Sequence, residues 1–262
     1  MIPGFFTWLS HAIQGEFGES WQWTVDVTEK FSEVIWYSFF LALIAFILEI
    51  VIAVPLGVLA ATKQYSVTDY TVTVIALIGI SMPTFFVATV LKYVFAAKLG
   101  WFEPFGMVTA RLAGKLTGFA WLLDVAWHFV LPAMTLTIIG IGSLMRYTRT
   151  NTLEVLNADY IRTARAKGLP ENKVIGYHAF RNTLIPLVTI LGGSLPGLFS
   201  GALITETLFS IRGIGYTSYY SMINGDIPFT MFYLAFSTIL TLLGTLIADI
   251  LYAVVDPRVR VN

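Results

Sequence analysis

The sequence predicts an all-α protein, a polytopic membrane bundle of five transmembrane helices. Its 262 residues are 56% hydrophobic and 12% charged, and the mean hydropathy is +0.75. Because soluble domains carry about twice that charged fraction, lipid must solvate most of the chain. Five continuous apolar runs reach the roughly 20 residues that cross a bilayer, and none shows the two-residue alternation of a barrel strand. The predicted spans are 34–61, 70–97, 121–145, 183–209 and 229–255.

Residues 1–30 come before the first span and are predicted to form an external or interfacial leader. They contain no basic start and no continuous apolar run, so they do not resemble a signal peptide. Apolar residues at helical spacing favour a short helix lying on the membrane surface, and a loosely packed leader is the alternative. These apolar residues are Phe5, Trp8, Leu9, Ala12 and Ile13.

The third and fourth spans are separated by the only long charged stretch of the chain, here called the basic segment (residues 146–181). It holds seven Lys or Arg residues against three acids. Placing it in the cytoplasm also places Lys63, Arg258 and Arg260 there, which makes ten positive residues against five on the other side. Because positive residues collect in cytoplasmic loops, we expect a multi-pass protein of the cytoplasmic (inner or plasma) membrane with a cytoplasmic C-terminus.

Composition argues against several kinds of site. The net charge is zero, which argues against a nucleic-acid partner. The absence of cysteine excludes disulfides and cysteine-ligated metals, and three histidines far apart in sequence do not predict a metal centre. The sequence contains no G-x-x-x-x-G-K-[ST] phosphate-binding loop and no nucleophile–base constellation, so we predict no ATPase site and no catalytic residues in this chain.

The basic segment is predicted to form two helices joined by a bend. Asn157 or Asp159 can cap the first helix. Arg165 and Lys167 fall in its last turn, where positive charge suits the helix dipole. Gly168 is placed as the left-handed residue that ends this helix.

The second predicted helix starts directly after that glycine. Pro170 suits its first position and Glu171 its opening turn. The helix then carries His178 and Arg181 and meets Pro186, where the fourth span is predicted to begin. The predicted unit is a helix, a Gly-Leu-Pro elbow and a second helix at the membrane surface.

Small side chains around the elbow would allow the surface of another protein to approach closely, while nearby Arg and Lys residues bind carboxylates on it. The alternative is a loop that only sets membrane topology. Topology alone would require neither the elbow nor the small side chains, which are those of Thr163, Ala164, Ala166 and Gly168.

The run DYIRTARAKGL at residues 159–169 is followed by His178, Arg181-Asn182 and Ile185-Pro186, and this pattern resembles the EAA loop of ABC-importer permeases. The variant is that of the oligopeptide, dipeptide and nickel group. The resemblance extends from the first span to the C-terminus. Its further motifs are SMP (Ser81–Pro83), LP (Leu131-Pro132), ETLFSIRGIG (Glu206–Gly215), GDIP (Gly225–Pro228) and DPRVR (Asp256–Arg260).

The resemblance implies a type I ABC-importer transmembrane domain over residues 31–262. It also implies a similar second permease subunit, two ATPase subunits that bind ATP and Mg beneath the membrane, and a solute-binding protein outside. No cofactor would then be held by this chain. The elbow would insert into a cleft of the ATPase and transmit its closure as a rigid-body movement. The residues expected to carry this coupling are Asp159, Tyr160, Arg162, Thr163, Ala164, Arg165, Ala166, Lys167, Gly168, Leu169, His178 and Arg181.

The sequence departs from this family pattern at its start. Members of the group usually have six transmembrane helices, including an additional first helix followed by a larger external region. Residues 5–21 resemble the end of that external region. The resemblance therefore leaves two alternatives, a truncated first helix or a protein that works without one.

The fourth span carries Gly193, Gly197 and Gly201 at four-residue spacing, which predicts one helix face bare of side chains. Such a face favours close packing against a neighbouring helix. The alternative is a conduit widened for a bulky solute, and both interpretations hold if this helix lines an interface between subunits.

Three charged residues, Glu49, Lys92 and Asp249, lie within predicted spans, where an unpaired charge is costly. Structural pairing is the favoured interpretation, and a proton relay is the alternative. Glu206 and Asp249 are placed to anchor the ends of their helices. His128 is predicted to be a buried residue whose hydrogen bonds are satisfied.

Together these features predict the membrane-spanning permease subunit of an ATP-driven importer that moves short peptides by alternating access. One alternative is an ion-coupled secondary transporter, which requires midplane polar groups and an inverted repeat that the sequence does not show. Another is a membrane enzyme, which requires clustered catalytic groups. Nickel chelates and sugars are alternative substrates, because permeases of this type handle them too.

Overall fold

The chain folds into helices joined by short connections, as seen in a computed structural model that describes residues 2–112 and 114–255. The DPRVR motif, with Arg258 and Arg260, lies outside the described residues. Short π-helical and 3₁₀ turns occur at Lys92–Lys98, Ala110–Leu112, Val174–Ala179 and Pro196–Phe199. The α-helices are α1 (Ile2–Ile13), α2 (Val27–Thr62), α3 (Val67–Ser81), α4 (Thr84–Leu91), α5 (Gly118–Leu156), α6 (Asp159–Ala166), α7 (Glu171–Lys173), α8 (Phe180–Ser194), α9 (Leu203–Phe209), α10 (Ile214–Ile223) and α11 (Ile227–Val255).

Four continuous helices among the described residues are long and apolar enough to cross a membrane. A fifth crossing is made if the bent pair α3–α4, whose halves meet at 104°, counts as one span. The bend follows from Pro83, because the residue before a proline is pushed out of helical geometry, and Met82 is extended with ψ 129°. The predicted helical membrane bundle is therefore confirmed. The continuous spans are Val27–Thr62, Gly118–Leu156, Glu171–Phe199 and Ile227–Val254.

The predicted boundaries of the fourth span, 183–209, are wrong at both ends. The helix begins at Glu171 and passes through Pro186 without a break, so the second half of the elbow and the span are one helix. It ends at Phe199, after a 3₁₀ turn that starts at Pro196. Hydropathy misses this end because the apolar run continues through the non-helical residues 200–202 into α9.

The bundle is organised around α5, which packs along α2, α3, α4 and α8. Glycines let the backbones of these helices touch. A Cβ atom at Gly57 on α2 would lie 2.7 Å from the carbonyl oxygen of Met145, and one at Gly142 would lie 2.5 Å from that of Ala76 on α3. A larger side chain at either glycine would therefore separate the helices.

The leader is tied to the bundle by a buried carboxylate. Asp226, between α10 and α11, is 1% exposed. Its Oδ2 atom accepts a 2.5 Å hydrogen bond from Ser20 Oγ, and its Oδ1 atom accepts a 3.2 Å bond from the Trp21 N–H. Helix α1 forms where a short helix was expected, and α2 begins at Val27, inside the predicted leader. Residues 20–22 are thus packed against the bundle, so the alternative of a loosely packed leader is wrong for this part.

Lys92 has a structural partner, as predicted, although the partner is a backbone carbonyl group. Its Nζ atom donates a 2.6 Å hydrogen bond to the carbonyl oxygen of Leu208. Within the described residues Glu49 and Asp249 make no ion pair, so the predicted pairing is wrong for both. The Glu49 carboxylate instead fills the space that Gly140 leaves open on α5.

The predicted burial of His128 is confirmed. The residue is 7% exposed, and its Nδ1 atom donates a 2.8 Å hydrogen bond to the carbonyl oxygen of Asp124. Its Nε2 atom has no hydrogen-bond partner within the part of the chain that the structure describes. The predicted hydrogen bonding of this buried residue is therefore confirmed for Nδ1 only.

Candidate functional site

The basic segment contains the predicted helix–bend–helix unit, and the name elbow is used here for residues 157–181. Helix α5 continues to Leu156, so the basic segment starts on a helix and not in a loop. Asn157 is the C-cap of α5, and Ala158 takes the N-cap of α6 without a side-chain hydrogen bond. The predicted capping of α6 by Asn157 or Asp159 is wrong, because the turn between the helices is too short to leave Asn157 free.

Gly168 ends α6 in the left-handed conformation that the sequence predicts, with φ +75°. Its N–H donates to the carbonyl oxygen of Arg165 at 2.9 Å, and the N–H of Leu169 donates to that of Ala164 at 3.4 Å. This pair of bonds defines a Schellman motif, whose left-handed position strongly favours glycine. A Cβ atom at Gly168 would meet no heavy atom within 4 Å, so the bend is open to its surroundings.

An ion pair spans the bend. Arg165 donates from Nη2 to Glu171 Oε1 at 2.7 Å and from Nε to Oε2 at 3.2 Å. These hydrogen bonds to the Glu171 carboxylate raise the pKa of the Arg165 guanidinium above its ordinary value. Pro170 occupies the N-cap of α7, one residue before the predicted first helical position. The two-point contact fixes the angle between the halves of the elbow.

The elbow has a small hydrophobic core of its own. Ile161, Val174 and Ala179 are fully buried, and Ala164 is 7% exposed. Val155 and Leu156 from α5 and Leu169 from the bend pack against them. The expectation that Ala164 would face another protein is therefore wrong, because this alanine is covered by the elbow itself. The elbow is held as one body against the end of α5.

The remaining predicted residues form the outer surface of α6 and the bend. The side chains of Asp159 and Arg162 are 97% and 73% exposed, and their charged atoms are 3.9 Å apart. Leu169 is partly covered. The other exposed predicted positions here are Tyr160, Thr163, Arg165, Ala166, Lys167 and Gly168.

His178 and Arg181 lie farther along, where the second half of the elbow becomes the span. His178 is in the π-helical turn Val174–Ala179, and its ring packs edge-on against Tyr177 at 5.1 Å between ring centres. Arg181 is exposed in the first turn of α8. The structure thus places both residues on the second half of the elbow, whose π-helical turn packs against α6. π-Helical turns inside longer helices often occur at functional positions.

Near the opposite end of the bundle, the ETLFSIRGIG motif surrounds a fully buried carboxylate. Glu206 is 0% exposed. Its Oε1 atom accepts hydrogen bonds from Ser38 Oγ at 2.7 Å and from the Ala202 N–H at 2.8 Å, and its Oε2 atom accepts one from the Tyr216 N–H at 2.8 Å. Glu206 therefore joins α2, α9 and α10, which goes beyond the predicted anchoring of one helix end.

The three glycines predicted on one helix face do not share a face. Gly193 packs on α11, where its Cβ would lie 2.9 Å from that of Ala248. Gly197 lies in the 3₁₀ turn, and its Cβ would meet nothing within 4 Å. Gly201 lies beyond the end of the helix with φ +83°. The prediction of one continuous face is wrong because the helix stops at Phe199.

A groove of about 600 Å³ runs between α8 and α11 beside two of these glycines. Its lining combines small residues with hydroxyl groups, which offer hydrogen bonds without charge. Most of these hydroxyl groups donate to carbonyl oxygens of the chain itself, so they remain available mainly as hydrogen-bond acceptors. The lining residues include Gly193, Ser194, Gly197, Ser200, Tyr233, Ser237, Thr241, Gly244 and Thr245.

Neither the hydroxyl lining of this groove nor the inner face of the elbow is predicted from the sequence. The groove needs residues from two helices that are far apart in sequence, so no local pattern predicts it. Ile161 and Ala164, three residues apart, carried a signal for an inner face. The charged residues around them favour the prediction of an exposed surface instead.

Residues 53–261 match the family described as "Binding-protein-dependent transport system inner membrane component". The chain is 39% identical over 257 residues to the oligopeptide transport system permease protein AppB of Bacillus subtilis (strain 168), which covers 98% of this chain and 79% of that protein. It is 32% identical over 257 residues to OppB of Haemophilus influenzae, with the same coverage. It is 34% identical over 258 residues to the dipeptide transport system permease protein DppB of Alkalihalophilus pseudofirmus.

Among solved structures, the fold is similar to a chain of the inward-facing MetNI methionine ABC transporter. The TM-score is 0.66 over 87% of this chain and 97% of that chain, with 16% sequence identity. This likeness confirms the predicted ABC-importer transmembrane fold. None of these comparisons favours the ion-coupled secondary transporter. The chain belongs to the family of binding-protein-dependent transport system inner membrane components, multi-pass membrane subunits of ABC importers.

Proposed function

We propose that the elbow docks into an ATP-binding subunit and carries the closure of that subunit into the membrane. The observation that carries this proposal is that the second half of the elbow and the fourth span are one helix, Glu171–Phe199. A movement of the elbow is therefore transmitted directly to a helix that lines the groove. The small core of the elbow and its two-point ion pair keep the unit rigid.

The proposed partners follow from this role. Two ATPase subunits bind ATP and Mg²⁺, while this chain holds no cofactor. A homologous second permease subunit completes the membrane pathway, and a solute-binding protein delivers the solute from outside. The elbow and the C-terminus then lie in the cytoplasm, in agreement with the excess of Lys and Arg on that side.

The proposed solute is a short peptide, because AppB, OppB and DppB are described as oligopeptide or dipeptide permeases. The hydroxyl-lined groove between α8 and α11 is the proposed wall of its pathway. Hydroxyl oxygens can accept hydrogen bonds from the N–H groups of any peptide backbone, so the groove suits solutes with varied side chains. Alternating access exposes this wall first to one side of the membrane and then to the other.

The coupling role is tested with Gly168→Arg in the assembled transporter. The substitution places a bulky side chain at an open, left-handed position, so we expect loss of co-purification with the ATPase and loss of ATP-dependent uptake. Gly225→Arg is a matched control, because Gly225 also has positive φ, +74°, and open space, but lies between α10 and α11. Gly168→Asn should keep both activities, since asparagine tolerates the left-handed conformation. Unchanged uptake in Gly168→Arg would refute the assignment.

A further inference from the structure

A basic pocket of about 250 Å³ lies between α3 and α5. It is close to the loop that joins α2 to α3, at the same end of the bundle as the elbow. Two guanidinium groups and two hydroxyl groups surround it above an apolar floor. The lining residues are Val72, Thr73, Ala76, Leu77, Met145, Arg146, Arg149 and Thr150.

Arg149 is held at the pocket wall by a buried partner. It donates from Nε to Asp69 Oδ1 at 2.6 Å and from Nη2 to Oδ2 at 2.8 Å. Asp69 is 3% exposed. The Nη1 atom of Arg149 makes no hydrogen bond to any described residue, so one donor edge of this fixed guanidinium is available to a ligand.

Arg146 supplies a positive charge that the protein itself does not neutralise. It is exposed, and it forms no ion pair with any residue in the described ranges. Because Asp69 balances the charge of Arg149, the pocket keeps a net charge of about +1 from Arg146. The pocket therefore attracts an anion and presents guanidinium donors to it.

An apolar groove of about 510 Å³ lies next to this pocket, along α3 and the start of α4. Leu77 lines both the pocket and the groove, so the two are neighbours along α3. From Thr73 to Ser81 helix α3 rises about 12 Å, which is the length of a large part of an acyl chain. The groove is lined by Val74, Leu77, Ile78, Ser81, Met82, Pro83 and Phe86.

We infer that this two-part site binds one anionic phospholipid, with its phosphodiester at Arg146 and Arg149 and an acyl chain in the groove along α3. Guanidinium groups bind phosphate oxygens by charge-assisted hydrogen bonds, and basic pockets between membrane helices on the cytoplasmic side suit anionic head groups. A free phosphate ion would use only the pocket, and a helix of another subunit would need no net positive charge. A basic pocket directly beside an apolar groove matches the head group and acyl chain of one lipid.

The test uses the assembled transporter in nanodiscs of phosphatidylcholine doped with phosphatidylglycerol, with bound lipid counted by native mass spectrometry. Arg146→Gln should lower phosphatidylglycerol retention about fivefold, the effect of one cation near a membrane surface. Ile78→Trp, which fills the groove at an exposed position that does not line the pocket, should lower it as well. Lys63→Gln is the control, because Lys63 is exposed but does not line the pocket.

Retention that is unchanged in Arg146→Gln, or lowered equally in Lys63→Gln, would overturn the inference. Retention that Ile78→Trp leaves unchanged, or that excess inorganic phosphate abolishes, would show a phosphate site without a lipid chain and also overturn it. A second permease subunit cross-linked to Ile78 would assign the groove to protein. Co-purification of the ATPase is monitored in parallel, so failure of this inference is distinguishable from failure of the proposed coupling role.

Discussion

Glu206 shows how one residue organises the end of the bundle opposite the elbow. Its buried carboxylate satisfies two backbone N–H groups and the Ser38 hydroxyl, which in turn accepts a 2.7 Å hydrogen bond from the Ile214 N–H. The glycines of the same motif leave space for the Glu206 carboxylate and the Ser38 hydroxyl. A Cβ atom at Gly213 would lie 2.3 Å from Ser38 Oγ and 2.7 Å from Glu206 Oε2. The ETLFSIRGIG motif is therefore a packing unit built around one charge.

We expect Glu206→Ala to destabilise the subunit strongly. The change leaves buried donors without acceptors, at a cost of about 1–3 kcal/mol for each donor. The measurement is thermal unfolding of the purified subunit in detergent, with Glu33→Ala as the control, since the Glu33 side chain is 64% exposed. A melting temperature equal to that of the control would contradict the role assigned to this carboxylate.

Residue-scale prediction from sequence succeeded where a backbone rule applied and failed where the outcome depended on distant residues. The left-handed Gly168 follows from its place between a helix and a proline. The burial of Ala164 depends on Val174 and Ala179, which only the folded elbow brings over it. The partner of Lys92 is a carbonyl group 116 positions away in the chain, which no local pattern indicates.

At the scale of elements, the ion pair between Arg165 and Glu171 ties α6 to α7. Both side chains are partly exposed, at 42% and 53%, so the pair contributes only about 0.2–1 kcal/mol to stability. The pair also spans the bend, so it favours one angle between α6 and the long helix. The pair is therefore expected to matter for coupling more than for folding.

We expect Arg165→Glu to reduce the stimulation of ATPase activity by the solute-loaded binding protein, with little change in melting temperature. The double variant Arg165→Glu with Glu171→Arg should recover part of that stimulation, because it restores the pair with reversed charges. The measurement is a double-mutant cycle on ATPase stimulation. Additive losses would show that Arg165 acts by itself, for instance on a partner carboxylate, and not through the angle of the elbow.

Substitutions at two glycines on the wall of the groove test helix packing and solute passage separately. Gly244 on α11 packs against α8, where its Cβ would lie 2.7 Å from the carbonyl oxygen of Gly193, whereas a Cβ at Gly197 would meet nothing within 4 Å. We expect Gly244→Val to destabilise the bundle by about 1–3 kcal/mol. Gly197→Val should leave the melting temperature unchanged and lower uptake by narrowing the groove. Normal uptake by a stable Gly197→Val variant would remove the groove from the proposed pathway.

Element boundaries were predicted well where polar residues interrupt the apolar runs and poorly where they do not. The first, third and fifth spans fall inside the observed helices α2, α5 and α11. The fourth span was misplaced because apolar residues continue across the break at 200–202. The elbow helix was separated from that span because Pro186 suggested a boundary, although the helix continues through it.

At the scale of the whole molecule, the two ends of the bundle have different designs. One end carries buried carboxylates, Glu206 and Asp226, that fix α9, α10 and the leader to the bundle. The other end carries the elbow, which has its own core and contacts the rest of the chain mainly through α5 and the long helix that follows it. A fixed end and a lever-like end suit a subunit that is driven from one side of the membrane.

Site-specific photo-crosslinking shows whether the elbow contacts an ATP-binding subunit. A photoreactive amino acid is placed at Arg162, which is 73% exposed on α6, or at Arg111, an exposed position in the loop before α5, in the assembled transporter. We expect a crosslink to the ATPase from position 162 and none from position 111. A transporter that takes up solute with ATP but gives no ATPase crosslink from position 162 would show that the elbow does not dock there.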